Sequence, residues 1–268
     1  MTASGRTGLG YQFGGIAVIA QRDVLKLLRD RPRLAVNLVF PVLLVAGLGN
    51  LLQPTVGKAT GLNAVTLSFT GVLAATLFQS TAAGMISIVE DRETDFARVL
   101  FVTPIARLTL ISGKIAGESL VALIQGACVL AFAAAIGVPV TWGTLLAMAP
   151  ACLACCLLGA GFGLVTIALL PTQRSAMQVF QFLIIPQYAL AGVLVPLNGV
   201  ARWLSAVSAV MPLRYVVDLT RAAYYKGTPG YREAVTGRPL LDAVVTVALL
   251  VIFLAAGSLL FSYRERTR

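Results

Sequence analysis

Val89-Glu90-Asp91-Arg92-Glu93-Thr94-Asp95-Phe96-Ala97-Arg98-Val99-Leu100-Phe101-Val102-Thr103-Pro104 is a short island of charge between two long apolar runs. It gathers Glu90, Asp91, Glu93 and Asp95 out of 11 acids in the whole chain. From about Asp91 to Leu100 it reads as a helix of roughly three turns. Glu90, Asp91 and Glu93 stand at its start, where negative charge suits the helix dipole. Phe96, Val99 and Leu100 form an apolar ridge at helical spacing. Thr103-Pro104 is a stop and restart: the residue before Pro leaves the helical region, Thr caps, and Pro suits a first turn. A loop that merely joins two spanning helices needs none of this. A charged, amphipathic connector at one membrane face is shaped to receive a soluble partner.

The runs on either side set the class. The chain is 58% hydrophobic and 12% charged, with a mean hydropathy of +0.87, whereas soluble domains carry about 25% charge. It is read as an all-α integral membrane protein of a single domain over 1–268. Runs of about 20 apolar residues mark spanning helices. Six are predicted, at about 34–52, 65–88, 110–136, 144–170, 176–196 and 241–262.

The net charge of +10 is explained by topology, without nucleic acid. With six spans, Arg6, Arg22, Lys26, Arg29, Arg31, Arg33, Arg92, Arg98, Arg107, Lys114, Arg174, Arg264, Arg266 and Arg268 share one side. That is the positive-inside pattern, with both termini cytoplasmic in a multi-pass cell-membrane protein. One segment opposes it. The outer connection 197–240 carries Arg202, Arg214, Arg221, Lys226, Arg232 and Arg238.

Residues 16–33 predict an amphipathic interfacial helix. Ile16, Ala20, Val24, Leu27 and Leu28 take one face; Arg22, Lys26, Arg29 and Arg33 take the other. Pro32 separates it from the first span. In the second span Thr76, Gln79, Ser80 and Ser87 make a polar stripe that either packs on another helix or lines a pathway. Lys114 and Glu118 are spaced to pair, with the lysine snorkelling to the interface. Gln178 and Gln181 share a face of the fifth span. Between spans five and six, Val200, Trp203, Leu204 and Val207 give one short apolar stripe. After Met211-Pro212, Leu213, Val216, Val217, Thr220 and Tyr224 give a second. Arg214, Asp218 and Arg221 form a charge ladder on its polar side, and Gly227 is the C-cap. Each piece is too short to cross, so the pair lies in or dips into the outer leaflet.

Familiar chemistry is absent from the sequence. No phosphate-binding loop of the form G-x-x-x-x-G-K-[ST] occurs, and with no His no His-based triad or zinc protease site can form. Cys128, Cys152, Cys155 and Cys156 lie in apolar spans and read as small buried hydrophobes. Gly159, Gly161 and Gly163 read as packing residues. No catalytic residues, bound metal or bound cofactor are expected of this chain.

In order and spacing these pieces resemble the membrane subunit of type-2 ABC transporters, the permease family of daunorubicin-type drug exporters and nodulation-factor exporters. The resemblance is carried by Glu90-Asp91-Arg92-Glu93 through Thr103-Pro104-Ile105-Ala106-Arg107, then Ser112-Gly113-Lys114. It is carried as well by Val195-Pro196-Leu197-Asn198, Trp203-Leu204, Met211-Pro212-Leu213-Arg214-Tyr215 and Asp218-Leu219-Thr220-Arg221. It implies a cytoplasmic coupling helix between spans two and three and short re-entrant helices between spans five and six. It also implies a half-transporter, paired with a second permease copy as homodimer or heterodimer. A separate cytoplasmic ABC ATPase would hold the ATP and Mg, and membrane lipids would surround the subunit. Glu90, Asp91, Arg92, Glu93, Phe96, Leu100 and Pro104 would meet the ATPase, flanked by Arg22, Lys26 and Arg29. Thr76, Gln79, Ser80, Gln178 and Gln181 would serve the pathway or the dimer seam. Trp203, Pro212, Arg214, Asp218 and Arg221 would build the outer element. The cargo implied is an amphipathic drug, antibiotic or lipid moved outward. The alternatives are a polysaccharide or glycolipid exporter and, in another class, a channel or scaffold.

Overall fold

The computed structural model describes residues 9–93, 107–170, 172–197 and 200–266, and these are all helix and connection, with no strand. Helix α1 is Leu9–Arg29. After a break at Asp30, α2 runs over 31–60 as one continuous helix. Pro32 lies in its first turn, where a missing N–H costs nothing. α2 passes through two π-helical segments, Leu44–Leu48 and Gln53–Gly57, the second containing Pro54. A proline cannot donate to the preceding turn, and a wider turn accommodates it. Helix α3 is Ala64–Glu93, α4 is Arg107–Ala135 and α5 is Trp142–Leu169. Helix α6 is Gln173–Leu190, α7 is Arg202–Ala209 and α8 is Pro212–Tyr224. The short α9 is Tyr231–Ala234, and α10 is Pro239–Arg266.

Among the described residues, five stretches are long and apolar enough to cross a membrane: Ala35–Gly57, Ala64–Ile88, Ile111–Ala135, Trp142–Ala168 and Tyr231–Gly257. The protein is therefore a multi-pass membrane protein. The expected sixth, 176–196, does not qualify. Its helix stops at Leu190 after 18 residues, about 27 Å of helix. Gln173, Arg174, Gln178, Gln181 and Gln187 dilute its hydropathy. The first span is longer than read from sequence, because the helix carries on through 53–60, past the expected end at about 52.

Glycines set which helices touch. A Cβ on Gly159 would run into the Phe78 carbonyl, and one on Gly163 into that of Ala82, so α3 and α5 pack backbone to backbone, pointing the same way. Gly161 faces Phe253 and Gly257 faces Leu164, which aligns α10 with α5. Gly126 meets Leu77, while Gly84 meets Glu118, so α4 runs against α3. The starts of α2 and α4 therefore share one end of the bundle with the ends of α3, α5 and α10. At the centre the Phe162 ring lies 5.4 Å from Phe78, 6.3 Å from Phe180 and 5.9 Å from Phe253. One residue thus ties α5 to α3, α6 and α10. Cys152, Cys155 and Cys156 are buried and unpaired, as expected of small apolar residues, whereas Cys128, expected to be buried with them, is exposed.

Candidate functional site

α1 packs along the first turns of α4. Gly15 meets Thr109, Gly113 meets Ile16 and Ile19, and Gly117 meets Ala20 and Asp23. Two glycines a turn apart on α4 let the helices approach closely enough for charges to meet under cover. The Lys114 ammonium lies 3.1 Å from Asp23 and 2.8 Å from Glu118. Arg22 adds a contact of 3.1 Å to the other oxygen of Asp23. Asp23, Lys114 and Glu118 are only 4%, 4% and 6% exposed. The expected pair of Lys114 with Glu118 is present, but the lysine does not snorkel. It stays inside because Asp23 reaches it from α1.

Glu118 extends this cluster to a third helix. Its side chain occupies the space that a Cβ on Gly84 of α3 would need. About two turns further on, α3 ends with Glu90, Asp91, Arg92 and Glu93. Here the expectation is corrected: these four residues continue the helix of the second span, and no new helix begins at Asp91. Nothing in Ile88-Val89-Glu90 breaks a helix, so the turns propagate. Phe96, Leu100 and Pro104 lie outside the described residues, as does the rest of the expected coupling helix.

Beside the cluster, α1 and the start of α2 enclose a groove of about 780 Å³. Val18 and Leu25 line it together with Arg22, Lys26, Arg29 and Asp30. The basic face expected of this helix is thus present, turned away from α4.

The other sequence-predicted residues are dispersed. Thr76 is buried, its hydroxyl bonded to the Val72 carbonyl. Gln79 accepts a hydrogen bond of 2.8 Å from the Tyr188 hydroxyl, which joins α3 to α6. Ser80 is half-buried, whereas Gln178 and Gln181 are exposed beside the exposed Phe182 and Ile185. The stripe of the second span is therefore packing at Thr76 and an interhelical tie at Gln79.

At the far end, α8 descends beside the first half of α5. The Tyr224 hydroxyl donates to the Pro139 carbonyl at 2.8 Å, just before α5 begins. Thr220 lies 3.7 Å from the Cys155 sulfur, well down that helix. Leu213, Val216, Val217, Thr220 and Tyr224 are buried, as their spacing predicts, whereas Trp203 on α7 is 69% exposed. Pro212 starts α8 and is buried. Met211 supplies the break.

The charge ladder does not form. Arg214 donates to the Ser208 hydroxyl and the Ser205 carbonyl, and so joins α8 to α7. Asp218 accepts from the backbone N–H groups of Thr236 and Gly237. Arg221 is fully buried and donates to the Val193 carbonyl at 3.0 Å. Its remaining donors, Nε and Nη1, have no partner among the described residues. Burial draws the Arg221 guanidinium down to about 10, against the stabilising charge of Asp218. Burial also raises the Asp218 carboxyl, with Arg221 opposing. Packing, not solvent, decides where these side chains point, which spacing alone does not reveal. Gly227 takes a left-handed φ of +78° in the turn after α8, two residues beyond the cap at Tyr225.

Sequence reasoning missed Asp23. It lies 91 residues from Lys114. The one visible signal was an acid set between Ala20 and Leu27, on the helix face otherwise read as apolar.

The description "ABC-2 type transporter" matches residues 15–225 of the chain. The chain is also 23% identical over 250 residues to a protein of Cyanophora paradoxa named "Putative transport permease ycf38". That alignment covers 91% of this chain and 86% of the relative.

Proposed function

The chain belongs to the ABC-2 type transporter family, and from that membership we propose that it is the membrane-spanning subunit of an ATP-driven exporter. Two copies, or this chain and a related one, form the passage. A separate cytoplasmic ATPase binds ATP and Mg and supplies the energy. The cargo is an amphipathic small molecule moved outward. α6 acts as a sixth span, short enough to tilt little, and α7 and α8 act as the re-entrant element of the outer leaflet. Both termini then face the cytoplasm. In support, the ends of α3 and α10 and the starts of α2 and α4 share one end of the bundle, and Arg174 and Arg264 fall at that end too.

The observation that carries the reading is the buried Asp23, Lys114 and Glu118 cluster. It joins the cytoplasmic helix α1 to α4 and seats Glu118 against Gly84 of α3, the helix that leads into the charged island. Motion delivered at the island or at α1 reaches two spans through ionic contacts held in low dielectric. There they are stronger than at a surface.

The test is a purified complex with the cognate ATPase. Glu90→Ala with Glu93→Ala should lower substrate-stimulated ATP hydrolysis or weaken assembly, while membrane insertion is unchanged. Unaltered export by the double variant would remove the docking role of the island. A constitutive ion current from the chain alone would favour a channel.

A further inference from the structure

Of the basic residues of the outer connection, which oppose the positive-inside pattern, Lys226, Arg232 and Arg238 are not used by the proposed export mechanism. Lys226 lines a groove of about 730 Å³ between α5 and α10. Tyr224, two residues earlier, is tied to Pro139 at the end of the bundle, so Lys226 stands at that end. Exposed Arg232 and Arg238 lie in the same connection. Trp142, 82% exposed at the first position of α5, marks the same level in the way interfacial aromatics do.

The groove walls lie deeper. Ala151, Ala154, Ala243 and Val247 form them. Ala154 is about 18 Å along α5 from Trp142 at 1.5 Å per residue. Small side chains leave a trough, and Leu146, Leu240 and Val251 beside it are exposed, so this face meets hydrocarbon. A cationic mouth at headgroup level above an apolar trough at acyl depth has the polarity profile of one phospholipid.

Thr246 supplies an independent sign. Several buried threonines on the helices of this protein return their hydroxyl to a backbone carbonyl of the preceding turn. Thr76, Thr81, Thr166 and Thr220 bond the one four residues back, and Thr70 the one three back. Thr246 lines the groove, is 3% exposed, and its hydroxyl has no partner among the described residues. It lies about 10 Å below the start of α10, the depth of an ester group below a phosphate held at the mouth.

We propose that this groove holds one anionic phospholipid, its phosphate on the Lys226 ammonium, its ester region at Thr246 and an acyl chain between α5 and α10. The proposal rests on the membrane embedding of α5 and α10 and not on ATP-driven export. Loss of export therefore leaves it standing, and the test below does not measure export.

The probe is phosphatidylglycerol carrying a photoactivatable diazirine in its acyl chain. It is added to the purified full chain in phosphatidylcholine nanodiscs, and labelled peptides are mapped by mass spectrometry. Labelling is expected within 147–154 and 243–247, competed by unlabelled phosphatidylglycerol and not by phosphatidylcholine. Lys226→Gln, a surface change that leaves folding intact, should reduce it about fivefold. Ala147→Trp, at an exposed position of the groove wall, should abolish it without lowering the melting temperature. Equal competition by phosphatidylcholine, or labelling indifferent to Lys226→Gln, would make this ordinary annular lipid and overturn the site. Competition by inorganic phosphate alone would mean an anion site without a lipid. Cross-links between two copies through this face would mean that protein covers it.

Discussion

Lys114 sits between two carboxylates under cover of α1, and that arrangement fixes what its loss does. Lys114→Ala leaves Asp23 and Glu118 facing each other without their shared cation. Breaking a buried ionic cluster in this way costs about 3–5 kcal/mol. A melting curve of the purified protein should show it. Asp23→Asn, Lys114→Met and Glu118→Gln together should recover most of that loss, because a neutral, well-packed group is often as stable as a buried ion pair. Under the proposed function, the ATPase bound to the triple variant should still hydrolyse ATP while transport stops. Half of this was legible beforehand. Lys114 and Glu118 are spaced to pair, and spacing is local. Asp23 is their partner only because Gly113 and Gly117 let α1 approach, and a contact between distant segments leaves no mark on local spacing.

The elements were legible where one face alone is buried. The alternation in Leu213, Val216, Val217, Thr220 and Tyr224 predicted the buried side of α8, and the structure has it. Polar residues on the same helix were not legible. In a soluble helix Arg214, Asp218 and Arg221 would share a wet face and pair. Here each is drawn to a different neighbour: Ser208, the turn before α10, and Val193. Two changes test those ties. Tyr224→Phe removes the hydrogen bond to Pro139 and should cost about 1 kcal/mol in unfolding experiments. Gly71→Ala should cost about 1–3 kcal/mol. Its methyl would strike the Val193 carbonyl, the acceptor that holds Arg221. A neutral outcome for Gly71→Ala would mean that the 191–197 connection yields freely.

At the scale of the whole molecule, the five long apolar helices followed from composition, because about 20 apolar residues in a row have few other places to go. The ambiguous piece was α6, whose polar residues lower its hydropathy. Under the proposed pairing, those residues also point to where a second copy would sit. Gln178 and Gln181 are exposed beside Phe182 and Ile185, which are 77% and 67% exposed. Glutamines facing lipid would leave amide groups without partners, at a cost a facing helix removes. On α5, by contrast, Leu146 is 74% exposed on the face assigned to lipid. A cross-linking pair therefore separates the two surfaces. The native Cys128 is exposed and is first changed to Ser; the buried cysteines stay. Gln181→Cys should then give an oxidant-induced dimer on a denaturing gel in native membranes, and Leu146→Cys should not. The reverse pattern would place the partner on α5 and α10. It would remove both the dimer seam at α6 and the lipid at Lys226, since one face cannot be covered by a protein helix and by an acyl chain together.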